Sequence, residues 1–183
     1  MDAITREEKL LSGQQNVNMP DSVTSIGTYA FYDCNILSIA SLPAGLKSIG
    51  ERAFQQCFNL SLTSLPSGLT SIGTSGFNSC NKLSLTSLPS GLTSIGASGF
   101  SGCTNLALTS IPDSVVSIGS YAFSKCSAIK ELTFKGTPEA IGNFAFNSCT
   151  NLLTINVPWA EGEVSGAPWG ATNATINYNY TGG

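Results

Sequence analysis

The sequence predicts a repeat solenoid: six stacked coils of 23 residues, made of short parallel β-strands and single helical or 3-10 turns, with a cap at each end. Three regularities carry this. Cysteine recurs at Cys34, Cys57, Cys80, Cys103, Cys126 and Cys149, always 23 residues after the last. Phenylalanine keeps the same interval three residues earlier, at Phe31, Phe54, Phe77, Phe100, Phe123 and Phe146. An Ile-Gly pair does the same from Ile26-Gly27 through Ile141-Gly142. A fixed period of this length marks an array in which each unit packs only on its neighbours.

The organisation follows: an N-terminal cap helix and lead-in over 1–19, the solenoid over 20–157, and an aromatic cap segment over 158–183. In the first segment Thr5-Arg6-Glu7-Glu8 matches a capping box and Gly13 a stop. This predicts a helix to about Leu11 that either packs Ile4, Leu10 and Leu11 on the first coil or acts as a tether. Arg6, Glu7, Glu8 and Lys9 interrupt any apolar core of signal-peptide type, so no secretion leader is expected.

The third coil shows the repeating unit. Pro66-Ser67-Gly68 reads as a turn, since proline presets φ and glycine accepts φ > 0. Leu69-Thr70-Ser71-Ile72 is a short extended stretch closed by Gly73. Phe77 and Cys80 have the spacing that puts two side chains on one face of a single helical turn. The residue before each Phe is small (Ala30, Ala53, Gly76, Gly99, Ala122, Ala145), which predicts close contact with the next coil. Leu83 to Leu88 supplies a second extended stretch. One coil alone buries too few apolar groups to offset the ordering of its backbone, so stability must come from stacking.

Six cysteines at one repeat position form a column with side chains pointing the same way. Equivalent residues in adjacent coils lie about 4.8 Å apart, within disulfide range, but parallel Cβ vectors bridge poorly. The expectation is an internal ladder of free thiols, with every repeat Cys and Phe buried. The chain has no histidine and no Cys-x-x-Cys, so no metal site and no Ser-His-Asp or Cys-His centre is expected. Nor does it contain a phosphate-binding Gly-x-x-x-x-Gly-Lys-Ser/Thr or Gly-x-Gly-x-x-Gly loop. Glu161 and Glu163 read as a solvated acidic loop. No catalytic residue, no cofactor and no enzymatic activity are expected.

Charge narrows the partners. Charged residues are 10 % of the chain and the net charge is −3, without a basic cluster. This argues against nucleic acid and anionic membrane as partners. No apolar run is long enough to insert in a bilayer.

The recurring Leu-Pro-x-x-Leu/Val-x-Ser-Ile-Gly-x-x-Ala/Gly-Phe-x-x-Cys-x-x-Leu, from about Pro20 to Pro158, resembles the BspA-type leucine-rich repeat of bacterial surface proteins. The resemblance implies a right-handed leucine-rich-repeat stack with a parallel sheet on one face, used for adhesion or recognition. Family members usually alternate an apolar pair just before the proline. Leu132-Thr133-Phe134 and Ile155-Asn156-Val157 fit, whereas the middle coils read Leu62-Thr63-Ser64-Leu65 and Leu85-Thr86-Ser87-Leu88, and Lys135 replaces a proline.

Two registers are open for those middle coils. Strict alternation would expose an apolar stripe of Ile39, Leu62, Leu85 and Leu108, while a bulge would keep both leucines of each coil inside. Either way a neutral, hydroxyl-rich strip remains, because Lys82 is the only charge between Ala53 and Pro112. Its candidate binding residues are Ser61, Thr63, Ser64, Ser84, Thr86, Ser87, Thr109 and Ser110.

In the C-terminal segment, Ile176, Tyr178 and Tyr180 alternate with asparagines as in a half-buried strand. Trp159 and Trp169 are read either as part of this cap or as an aromatic platform for sugar rings or a partner, and they complete the candidate binding set.

The function expected is a non-enzymatic recognition or adhesion module for a protein or glycan on a cell surface, located outside the cell. Two alternatives stand beside it: a host-recognition component of a phage tail or similar particle, and a structural protein that self-associates through the solenoid ends. The particle alternative draws on the free thiols, the missing leader, and two terminal resemblances. Residues Ile4 to Leu11 are similar to segments near the start of some phage tail-associated proteins, and Pro158 to Gly170 to the ending of leucine-rich-repeat proteins in prophage-like contexts.

Overall fold

The computed structural model describes the backbone of Ala3–Ile4 and residues 17–182. The capping box and the helix read over residues 5–11 lie outside the described residues. The chain is a parallel β-solenoid with two sheets. One has seven strands in coil order: β1 (Ala3–Ile4), β2 (Ser25–Ile26), β3 (Ser48–Ile49), β4 (Ser71–Ile72), β5 (Ser94–Ile95), β7 (Ser117–Ile118) and β9 (Ala140–Ile141). From β2 onward each serine or alanine pairs with the one 23 residues later, as in Ser48↔Ser71 and Ile49↔Ile72. The lead-in adds β1, so this sheet has one strand more than the six predicted coils.

Among the described strands the second sheet lies toward the C-terminus: β6 (Ser110–Ile111), β8 (Glu131–Phe134), β10 (Thr154–Asn156) and β11 (Thr175–Asn177). From β8 onward its extent follows the sequence, whereas the short β6 forms beside β8 although Leu108 and Ile111 are three apart. Leu132 and Phe134, or Ile155 and Val157, are two apart, so a straight strand turns both inward. Leu62 and Leu65 are three apart, and the chain bends at Thr63, and again at Thr86, which buries Leu62, Leu85 and Leu88 and half-buries Leu65. Ile39, Leu62, Leu85 and Leu108 are all buried, which settles the register in favour of the bulge-like bend.

The segment holding Phe and Cys is not a helix. Among the described residues there is no helix, and this stretch is a ribbon of overlapping turns. In the third coil Gly76 N donates to Gly73 O (3.0 Å), Asn78 N to Ser75 O (3.1 Å) and Cys80 N to Phe77 O (3.1 Å). The intervening amides point to the next coil: Ser75 N to Ala97 O (2.8 Å), Phe77 N to Gly99 O (2.8 Å) and Ser79 N to Ser101 O (2.7 Å). Ser75 (φ 55°) and Ser79 (φ 62°) are left-handed, which no helix tolerates twice in five residues. Phe77 and Cys80 both face inward, as expected, by this different local geometry.

Six phenylalanine rings stack along the axis, with neighbouring centroids 5.2, 5.3, 5.5, 5.5 and 5.5 Å apart. The small residue before each Phe makes room mainly within its own coil: a β-carbon on Gly76 would sit 2.9 Å from Ile72 Cγ2.

All six cysteines are free. The thiols of Cys57, Cys80, Cys103, Cys126 and Cys149 donate to the carbonyls of Phe31, Phe54, Phe77, Phe100 and Phe123 in the preceding coil, at 3.0 to 3.1 Å. Burial pushes Cys103 up to about 12 and Cys149 to about 11 from an ordinary value of 9.0. It also raises Cys80 and Cys126, with the neighbouring thiols adding to the rise. Cys34 departs from the expectation. In the first coil of the column it is only half-buried, and its sulfur reaches Tyr32 O at 3.9 Å.

The C-terminal end closes on an aromatic cluster. Phe134 lies edge-on to Phe146 (6.3 Å) and to Trp159 (5.2 Å), and Trp159 edge-on to Trp169 (6.3 Å). Trp169 Nε1 donates to Ser165 O (2.8 Å), and its carbonyl accepts Phe146 N (2.9 Å). A polar ladder fixes the last strand: Asn177 Nδ2 donates to Asn156 Oδ1 (2.8 Å), and Asn156 Nδ2 to Glu131 Oε1 (2.8 Å) and Thr133 Oγ1 (3.2 Å).

Three outcomes follow. With a thiol reagent on the folded chain, Cys34 reacts and the five buried thiols do not, whereas all six react in denaturant. The raised thiols also set a pH limit. Above pH 9 the unfolded chain releases thiol protons that the folded chain keeps, so the thiols' contribution to stability is level below pH 9 and falls as pH climbs toward 12. Urea midpoints across that window check it, and Cys103→Ala should flatten the slope by one proton. Third, Phe77→Ala removes a ring stacked on both sides and should cost about 3–5 kcal/mol in urea unfolding. Tyr180→Ala, on an exposed ring, should cost about 0.5 kcal/mol or less.

Candidate functional site

The structure brings the predicted hydroxyl strip together. Ser61, Thr63 and Ser64 of one coil, Ser84, Thr86 and Ser87 of the next, and Thr109 and Ser110 of the third occupy equivalent positions on successive coils. Ser84 and Ser110 are half-buried and the others exposed. The bends at Thr63 and Thr86 place the leucines on one side of the chain and these hydroxyls on the other. Backbone bonds hold the coils in step, with Ser84 N donating to Leu62 O (3.0 Å) and Ala107 N to Leu85 O (3.0 Å).

None of these side-chain hydroxyls makes a hydrogen bond within the described chain. Two threonines just before strands of the seven-stranded sheet behave otherwise: Thr70 Oγ1 donates to Lys47 O (2.9 Å) and Thr93 Oγ1 to Thr70 O (3.0 Å). Those two hydroxyls are drawn into the stack, whereas the strip offers both donors and acceptors to solvent or a ligand.

Two shallow grooves flank the strip. One, about 440 Å³, is lined by Ile36, Ser38, Asn59, Ser61 and Lys82. The other, about 340 Å³, is lined in part by Asp21, Ser41, Ser64, Leu65 and Pro66. Ser61 and Ser64 thus border one groove each, and each groove carries a single charge, Lys82 in the first and Asp21 in the second.

Trp159 and Trp169 do not belong to this site. Their side chains are 3 % and 1 % exposed, held in the aromatic cluster under the last coil, so no ring face is open to a sugar. Glu161 and Glu163 are exposed, and Glu163 Oε2 accepts Ala160 N (3.3 Å), closing a turn. Among the described residues no group of His, Cys, Asp or Glu could hold a metal ion, and no helix is long and apolar enough to cross a membrane. Sequence reasoning missed one exposed feature: the rings of Tyr121 and Phe144 stack at 5.3 Å. Their 23-residue separation was the available signal.

The comparisons with known proteins agree with this geometry. The family model described as BspA type Leucine rich repeat region matches six copies, over residues 11–107 and 77–163. A leucine-rich repeat protein of T. pallidum is 31 % identical, with a TM-score of 0.69 over 81 % of this chain and 74 % of that one. A leucine-rich repeat protein from Bacteroides ovatus is 19 % identical (TM-score 0.49, 85 % of this chain and 64 % of that one). The pneumococcal vaccine antigen PcpA is 20 % identical (TM-score 0.49, 91 % of this chain and 57 % of that one). No curated protein matches the chain. With the 23-residue register, the Phe and Cys columns and the matched residues all in place, the chain belongs to the BspA-type leucine-rich repeat family.

Proposed function

We propose that the chain is a non-enzymatic recognition module that binds a neutral, hydrogen-bonding partner, a glycan or protein on a cell surface, through the strip from Ser61 to Ser110. One observation carries this reading: a run of exposed hydroxyls without internal partners, held in register by a rigid stack. A preorganised strip loses little entropy on binding, which favours many weak, specific hydrogen bonds. Its near-neutrality disfavours polyanions, because only Lys82 would meet them. Family membership supports the surface setting, since the BspA-type repeat is that of bacterial surface proteins.

The test uses whole cells or arrayed glycans and surface proteins. Thr63→Asp with Thr86→Asp should leave the urea midpoint nearly unchanged, since both positions are exposed, and should lower binding at least about tenfold. Binding of the unaltered chain should change little with ionic strength, as expected of an uncharged contact. Unchanged binding by the double variant, or a steep loss of affinity with salt, would overturn the strip as the site. Light scattering that rises with protein concentration in the absence of a partner would favour end-to-end assembly instead.

A further inference from the structure

The seven-stranded sheet ends one strand short. Along it, the amides flanking each two-residue strand reach the coil before. Thr70 N reaches Lys47 O and Gly73 N reaches Ile49 O, both at 2.8 Å; at the last step Glu139 N reaches Val116 O (2.8 Å) and Gly142 N reaches Ile118 O (2.7 Å). The next carbonyls in this series, on Glu139 and Ile141, accept no hydrogen bond within the described chain, and the Phe144 amide donates none.

A seventh coil is nevertheless present elsewhere. β11 extends the second sheet beyond β10, and Trp169 O takes the place of the next turn carbonyl by accepting Phe146 N (2.9 Å). The vacancy is therefore one strand wide. Its exposure agrees: Ile141 is 8 % exposed, whereas Ile26, Ile49, Ile72, Ile95 and Ile118 are 1–2 %. Large exposed apolar side chains gather at the same end, with Val116 at 42 %, Tyr121 at 43 % and Phe144 at 50 %.

We propose that this edge accepts one extended strand from another polypeptide, of the form small residue–Ile–Gly, added parallel to β9. The edge resembles every inner junction of the sheet, so its requirements can be read from them. Two amides three residues apart must meet Glu139 O and Ile141 O. An isoleucine between them covers Ile141. The residue after it must be glycine, because the chain passes too close for a β-carbon: one on Gly119 would lie 2.3 Å from Ala97 N, and one on Gly142 2.3 Å from Ser120 N. The same step places the incoming residue on the Asn143 amide. A whole coil of a second copy does not fit, since β11 and the Trp169 segment already occupy the rest of that layer. The occupant is a free strand, which is the β-augmentation mode of recognition, and it leaves the hydroxyl strip uncovered.

The experiment uses the full chain, isotopically labelled, and a synthetic peptide with the sequence of residues 67–75, Ser67 to Ser75. Millimolar peptide should shift the amide resonances of Ala140, Ile141, Asn143 and Phe144. The same peptide carrying Gly73→Val should bind at least about tenfold more weakly. Phe144→Ser in the protein, an exposed position, should weaken the first peptide while leaving the urea midpoint in place. Equal binding of both peptides, shifts centred away from β9, or no shift at millimolar peptide would each overturn the proposal. None of these bears on binding at the strip, which Thr63→Asp with Thr86→Asp reads separately.

Discussion

Each coil of this solenoid is joined to the next by two sets of backbone hydrogen bonds, one on the sheet side and one on the turn side, and the rest of the structure depends on that pairing. On the sheet side the strands pair in parallel, so amides of the later coil reach the earlier one, as Gly73 N does to Ile49 O (2.8 Å), and bonds also return the other way, as Val157 N does to Asn177 O (2.9 Å). On the turn side the earlier coil donates, as Phe77 N does to Gly99 O (2.8 Å). A coil between two others has both sets matched. A terminal coil cannot, and at the C-terminal end the Glu139 and Ile141 carbonyls on the sheet side and the Phe144 amide on the turn side have no partner within the described chain. The chain after Val157 answers only part of this demand. It offers the Trp169 carbonyl to Phe146 and the β11 backbone to β10, and it leaves the β9 edge unmatched. Buried unpaired backbone groups cost free energy comparable to a lost bond, so such an edge survives only where water reaches it.

The same ladders explain the columns. Once the coils are held at one register, a residue type that packs well at one level packs well at every level, and Phe31 to Phe146 become a continuous ring stack. Cysteine suits its position because its sulfur is small, apolar and able to donate weakly. It reaches the Phe carbonyl of the preceding coil, as in Cys103 Sγ to Phe77 O (3.0 Å), while that carbonyl also takes the Cys80 amide (3.1 Å). Alanine would fill the space without a donor. Serine would donate more strongly but carries a larger desolvation cost when buried.

Most of this was legible in the sequence because repetition removes ambiguity: a residue's neighbours in space are its equivalents 23 positions away. The period gave the coil, the sheet register and the buried columns, and the difference between Leu62-Thr63-Ser64-Leu65 and Leu132-Thr133-Phe134 foreshadowed where the second sheet's longer strands, β8 and β10, would lie. The turn segment was misread for a physical reason. Phe and Cys three apart look helical, and left-handed residues are normally announced by glycine, but here Tyr29, Arg52, Ser75, Ser98, Tyr121 and Phe144 adopt positive φ. The bonds to the next coil override the local preference, and no single-coil reasoning registers them. For the site, the strip was visible as a composition bias, whereas the burial of Trp159 and Trp169 depended on how the cap folds back over Phe134 and Phe146, which no repeat specifies.

The position of the strip follows from the same constraint. A threonine directly before a sheet strand stands beside the neighbouring coil's backbone, and its hydroxyl is drawn into the stack, as Thr93 Oγ1 is by Thr70 O (3.0 Å). At Thr63 and Thr86 the chain bends to bury leucines spaced by three, and the hydroxyls there make no such bond. Identical side chains at an identical period thus differ in availability, and the difference comes from leucine spacing rather than from the hydroxyls themselves. A core-packing requirement therefore leaves the hydroxyls at Thr63 and Thr86 facing solvent.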